Sequence, residues 1–189
     1  EQAPFKMLWK TSQDNETIKI YHDPNKNGYK YNIDWGDDYY NDDIYDGGFD
    51  ASSVDNFIDF DSDENSDSHE ISHTYETSGS YIVSIRGYFP GISNFQDSTN
   101  AEKLIEVQDW GDIHWQSMAQ SFSGCTNLTA VSGVPNLSNV TDLSYMFHQA
   151  SKFESDLSQW NVGNVTNLSH MFYFAEKFNS DLSGWDVSK

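Results

Sequence analysis

Asn139-Val140-Thr141-Asp142-Leu143-Ser144-Tyr145-Met146-Phe147 returns as Asn164-Val165-Thr166-Asn167-Leu168-Ser169-His170-Met171-Phe172, 25 residues later. The echo runs on through Lys152-Phe153 and Lys177-Phe178, through Ser155-Asp156-Leu157-Ser158 and Ser180-Asp181-Leu182-Ser183, and ends at Trp160 and Trp185. A further step back gives a worn copy, with Met118 under Leu143, Phe122 under Phe147, Cys125 under Ala150 and Leu128 under Phe153. Fixed-period self-similarity of this length is the mark of a stacked repeat, and an atypical first unit is expected where a stack meets its cap. The repeats are therefore set at 139–163 and 164–188, with a degenerate first repeat at about 114–138.

Inside one unit the apolar spacing changes. Val165, Leu168, Met171, Phe172 and Ala175 fall on one helical face. Asn164 or Thr166 would cap its free N–H groups. Leu182, Trp185 and Val187 then read as a short extended piece. One helix and one short strand per 25-residue repeat is the expectation. Stacking should set Phe147 on Phe172 and Trp160 on Trp185 in ladders. Each burial contributes roughly 1.5–3 kcal/mol, against ordering costs of about 1–2 kcal/mol per residue. Two full repeats are marginal on that arithmetic, which points to further repeats or another capping element beyond Lys189.

The N-terminal part alternates instead. Thr17-Ile18-Lys19-Ile20-Tyr21 and the series Tyr29, Tyr31, Ile33, Trp35 flank Asp23-Pro24-Asn25-Lys26-Asn27-Gly28, which reads as a hairpin. Thr74–Tyr88 holds another strand, with Tyr81, Val83 and Ile85 on one face and Ile82 and Ser84 on the other. Lys103–Val107 is the expected last strand. Residues 1–108 are read as an all-β sandwich and 109–189 as the repeat region.

Charge narrows the function. Asp and Glu number 30 against 10 Lys and Arg, a net charge of -20. Such a chain repels phosphate backbones and anionic head groups, so nucleic acid is set aside as a partner. No apolar run approaches the roughly 20 residues that span a bilayer, so no membrane insertion is expected. The single Cys125 can make neither an internal disulfide nor a multi-thiolate metal site. No signal peptide precedes Glu1-Gln2-Ala3-Pro4, which reads as a trimmed start.

Fourteen acids and no Lys or Arg lie between Asp34 and Glu70, among them the rings Tyr39, Tyr40, Tyr45, Phe49, Phe57 and Phe60. An acidic run is ordinarily a solvated loop. Asp59, Asp61, Asp63, Asp67 and Glu70 nevertheless occupy loop positions 1, 3, 5, 9 and 12 of a calcium-loop pattern, with Glu64 where the turn glycine belongs. Asp34 and Asp37 form a second carboxylate group, whose simpler role is to bond the backbone of their own turn. A third window runs from Asp23 to Asp34, where a plain turn is the stronger reading. Calcium is the one cofactor these patterns allow. The histidines show no zinc spacing, and His148 and His170 sit at different points of their repeats. There is no nucleophile elbow and no phosphate loop.

Two resemblances follow from these residues. Asp34-Trp35-Gly36-Asp37, His73-Thr74-Tyr75 and Gly79-Ser80-Tyr81-Ile82-Val83 resemble the PKD pattern of an Ig-like sandwich, with Asp38 in place of a usual Gly and a long insert at about 38–69. The repeats resemble the BspA-type leucine-rich repeats, also called DUF285 or Mycoplasma-type repeats. The segment from Trp110 and Trp115 to Leu128 resembles their entry segment. Together the resemblances imply a mixed β and α+β fold, a PKD-like sandwich capping a short leucine-rich-repeat-like solenoid. They imply a non-enzymatic protein, secreted or on a bacterial cell surface, used for adhesion or protein recognition; a protein or glycan ligand and a monomeric state are expected. The rival readings are a carbohydrate-binding module and a calcium-bearing structural spacer.

Overall fold

The computed structural model describes residues 2–37, 58–59, 70–95 and 97–189, with 58–59 described as backbone only. Among the described residues six strands form the main sheet. In spatial order they are β4 (Ile58–Asp59), β3 (Lys30–Asp34), β6 (Ser80–Tyr88), β1 (Phe5–Lys10), β7 (Leu104–Asp109) and β8 (Ala130–Val131). A second sheet pairs β2 (Glu16–Tyr21) with β5 (Glu70–Tyr75). All pairs are antiparallel except β7 with β8.

Period-two patterning explains the layers. Phe5, Met7 and Trp9 of β1 are fully buried while Lys6, Leu8 and Lys10 are not. They meet Val83 and Ile85 of β6, Leu104 and Val107 of β7, and Ile18, Ile20 and Tyr75 of the second sheet in one core. Ile82 stays 43% exposed, on the opposite face from Val83. β1 is the strand that the sequence analysis passed over, and it lies at the centre of the sheet.

The expected hairpin does not form. β2 pairs with β5, while β3 pairs with β6 and β4, so residues 22–29 carry the chain from one sheet to the other. The Tyr29 hydroxyl fixes this crossing. It accepts from the Asp23 N–H and donates to Gly91 O, both at 2.8 Å. A burial requirement for Tyr29 thus overrides the local turn chemistry.

The repeats contain no α-helix among the described residues. The one helix among the described residues is α1 (Ser98–Ala101), capped by the Asp97 carboxylate on the Asn100 N–H. Backbone sign is the reason. Gln120, Tyr145 and His170 have φ of 60°, 56° and 57°. Four residues further on, Gly124, Gln149 and Phe174 have 76°, 61° and 59°. A right-handed helix cannot pass through a left-handed residue, so each unit folds as successive tight turns. Turns of about three residues bury the same i, i+3, i+4 positions as a helix, which is why the pattern misled. The short strand expected at Leu182–Val187 is likewise absent.

Backbone donors are divided between two directions. In the coil at 139–163 the N–H groups of Leu143, Tyr145, Phe147 and Gln149 donate to Asn167, Ser169, Met171 and Tyr173 of the next coil, at 2.8–2.9 Å. The intervening Met146, His148 and Ala150 close turns on Leu143, Tyr145 and Phe147. Met118, Gln120, Phe122 and Gly124 donate in the same way to Asp142, Ser144, Met146 and His148. Every donor named here is satisfied without helix or long strand.

The stack grows out of the sheet. β8 continues the main sheet beyond β7, with Thr129 N–H on Ile105 O and Ser132 N–H on Val107 O. Glu154 N–H then reaches Thr129 O, and Ser155 Oγ bridges the Val131 N–H and C=O. An edge that would otherwise be open to foreign strands is thereby covered. Trp110 stacks on Phe5 at 5.8 Å and meets Trp115, Phe122 and Trp160 edge-on. Trp110 thereby joins β1 of the sheet to the coils.

Candidate functional site

The carboxylates singled out for calcium are not drawn together where they are described. Asp34 Oδ1 accepts the Gly36 N–H at 2.9 Å, the simple turn role. Asp37 Oδ2 lies 2.7 Å from His73 Nε2, across 36 residues of sequence. Glu70 Oε1 receives Lys19 Nζ at 2.9 Å. Asp59 stands in β4, paired in register with Lys30. Asp61, Asp63 and Asp67 lie outside the described residues. Among the described residues no three His, Cys, Asp or Glu side chains are grouped as metal ligands.

The Trp-Gly-Asp turn has a structural task. His73 stacks on Trp35 at 5.3 Å and meets Tyr75 edge-on. The Tyr75 hydroxyl donates to Trp35 O at 2.8 Å. Gly36 has φ 77°, and a Cβ there would sit 2.5 Å from Ile82 O. The turn therefore closes directly on the β6 backbone, and only glycine allows that approach. Cys125 is fully buried, and burial pushes its thiol well above the ordinary range, so it offers no thiolate.

The phenylalanine ladder forms as expected. Phe122 stacks on Phe147 at 5.7 Å, Phe147 on Phe172 at 6.0 Å, and Phe153 on Phe178 at 5.7 Å. The tryptophans take other partners. Trp160 packs on Trp110 and Phe147, while Trp185 packs on Phe172 and donates its indole N–H to Leu157 O at 2.9 Å.

A second ladder, outside the core, escaped the sequence analysis. Tyr145 stacks on His170 at 4.7 Å and 5°, and His148 on Tyr173 at 5.7 Å and 4°. Tyr145 also meets His148 edge-on, as His170 meets Tyr173, so the four rings alternate like a checkerboard. Phe174 lies against Tyr173 at 4.3 Å. Tyr173 and Phe174 are 51% and 56% exposed. His148 Nδ1 is 3.2 Å from Ser123 Oγ. Partial burial, then the neighbouring His170, hold its imidazole below the ordinary histidine value. The signal was present in the repeat alignment, since Tyr145 matches His170 and His148 matches Tyr173. Histidines compared only with each other conceal the exchange.

This strip is also free of charge. Residues 118–124, 143–149 and 168–174 contain no Asp, Glu, Lys or Arg, in a chain with 30 acids and 10 basic residues. The backbone accentuates the choice of residues. Tyr145, His170 and Phe174 stand in left-handed conformation, which costs a non-glycine residue about 1–3 kcal/mol.

Residues 92–189 match the family described as Mycoplasma protein of unknown function, DUF285. No curated protein and no solved structure matches the chain.

Proposed function

The chain belongs to the DUF285 family, with the matched segment covering more than half of its length, and from that premise we propose that it is a non-enzymatic recognition module. It acts in a secreted or cell-surface setting and adheres to another macromolecule through its repeat stack, as the resemblance to BspA-type surface proteins implies. The observation that carries the reading is the uncharged, outward-facing strip of Tyr145, His148, His170, Tyr173 and Phe174 on a rigid periodic scaffold. Stacked repeats build regular surfaces of this kind, and exposed aromatic clusters mark interaction sites. The β-rich sandwich and the Trp110–Trp115 joint hold the first coil in place, while adhesion itself falls to the stack.

Beads carrying the intact chain test this on cultured epithelial monolayers under flow. Retention should be clear for the natural sequence and lost for Tyr145→Ser/His170→Ser/Tyr173→Ser. No retention of the natural chain, or equal retention of the variant, would refute it.

A further inference from the structure

We propose that the Tyr/His strip is a platform for a neutral glycan. The proposal rests on the recognition reading above and adds the class of partner.

Its first support is the contrast between equivalent positions. Gly124, Gln149 and Phe174 share one place in successive coils and one left-handed backbone. Gly124 shows that the fold is satisfied there without a side chain. Phe174 puts a large ring on that backbone, so the conformation does not account for it. His170 and Tyr145 likewise put rings on the left-handed backbone where the first coil has Gln120.

Charge supplies the second support. The surrounding chain carries a net charge of -20, which repels an anionic ligand. A cationic ligand would find no carboxylate among residues 118–124, 143–149 and 168–174. A neutral ligand meets neither obstacle.

Chemistry supplies the third. Tyr173 and Phe174 offer apolar ring surface to solvent. Beside them stand phenol hydroxyls, two imidazoles and the exposed Gln149 amide. A pyranose presents the matching pair of surfaces, with C–H groups on its face and hydroxyls around its rim. The ring pairs at 4.7 and 5.7 Å lie side by side across the same step between the coils at 139–163 and 164–188, so sugar units laid across that step would meet a tyrosine and a histidine from each coil. A protein partner is less well matched. The strip has no arginine, a preferred interface anchor, and of its aliphatic side chains Met118, Leu143, Met146 and Met171 are buried and Leu168 is half-buried.

Affinity electrophoresis of the intact chain decides this, using gels containing mannan, dextran, galactomannan or xylan, with alginate and hyaluronate as anionic counterparts. At least one neutral polysaccharide should retard the chain. Tyr173→Ser/Phe174→Gly should weaken that retardation by about tenfold or more, with an unchanged circular dichroism spectrum, since glycine suits the position. The idea is overturned by no retardation in any neutral gel, by retardation in the anionic gels alone, or by a folded variant that is retarded like the natural chain. Beads on periodate-oxidised monolayers separate the two readings. Full retention there would remove the glycan and leave adhesion standing, whereas failure on untreated cells would remove both.

Discussion

The coils at 139–163 and 164–188 have nearly the same sequence and different surroundings. Leu143, Phe147 and Leu157 are fully buried and Trp160 nearly so, whereas Leu168, Phe172, Leu182 and Trp185 are half-buried. Within residues 1–189 the first lies between two coils, and the second is contacted by the coil before it. In a stack, then, the energetic weight of a residue belongs to its place in the pile as much as to its identity.

Truncating equivalent rings should show the widest separation. Phe147→Ala should cost about 3–5 kcal/mol of unfolding free energy. Phe172→Ala should cost roughly half as much or less, because part of its surface already faces water. Equal losses in urea unfolding would break the comparison.

The next effect contrasts a turn of the sandwich with a turn of the stack. Gly36 and Gly124 have φ of 77° and 76°. A Cβ at Gly36 would strike Ile82 O, while the nearest atom to one at Gly124 is Ala101 Cβ at 3.8 Å. Gly36→Ala should therefore cost about 3 kcal/mol or more, and Gly124→Ala about 1–2 kcal/mol from conformation alone. Matching shifts in denaturation midpoint would mean that backbone sign outweighs steric contact.

Phe174→Gly sharpens the comparison within the strip. Relief of the left-handed strain should exceed the entropy cost of glycine, giving a gain of up to about 1 kcal/mol. A clear loss of stability would assign the Phe174 ring to the fold.

The smallest effect depends on pH. The folded-state pKa of His148 lies below its ordinary value of 6.5, chiefly through desolvation and then through His170. The unfolded chain therefore binds this proton more tightly. The folded state keeps its full advantage above pH 6.5 and loses some as pH falls through 6.5 toward the lower folded value. His170→Gln should flatten part of that dependence. Thermal unfolding between pH 7.5 and 5.5 reads it, and an identical slope in the variant would deny the coupling.

Much of this architecture can be read in the chain. The 25-residue period, the phenylalanine ladder and strands β2, β3, β6 and β7 follow from spacing and alternation. Other features do not, because they depend on contacts distant in sequence. The apolar pattern Val165, Leu168, Met171, Phe172 suits a helix and a train of turns equally, and only the sign of φ distinguishes them. β2 and β3 look like hairpin partners until Tyr29 is seen bonded to Gly91. Asp37 reads as a turn residue, and its partner His73 lies beyond a long insert. The outer Tyr/His ladder appears only when a tyrosine in one unit is matched to a histidine in the next.

The hydrogen bonds that pass from each coil to its neighbour run along the stack axis, so they bear directly on mechanical load. A tether attached to the last coil would pull that ladder open one coil at a time, with the sheet-anchored coil among the last to yield. Each released unit of 25 residues would add at most about 80–90 Å of chain. Under load, such a stack would lengthen in discrete increments while its remaining coils kept their surface.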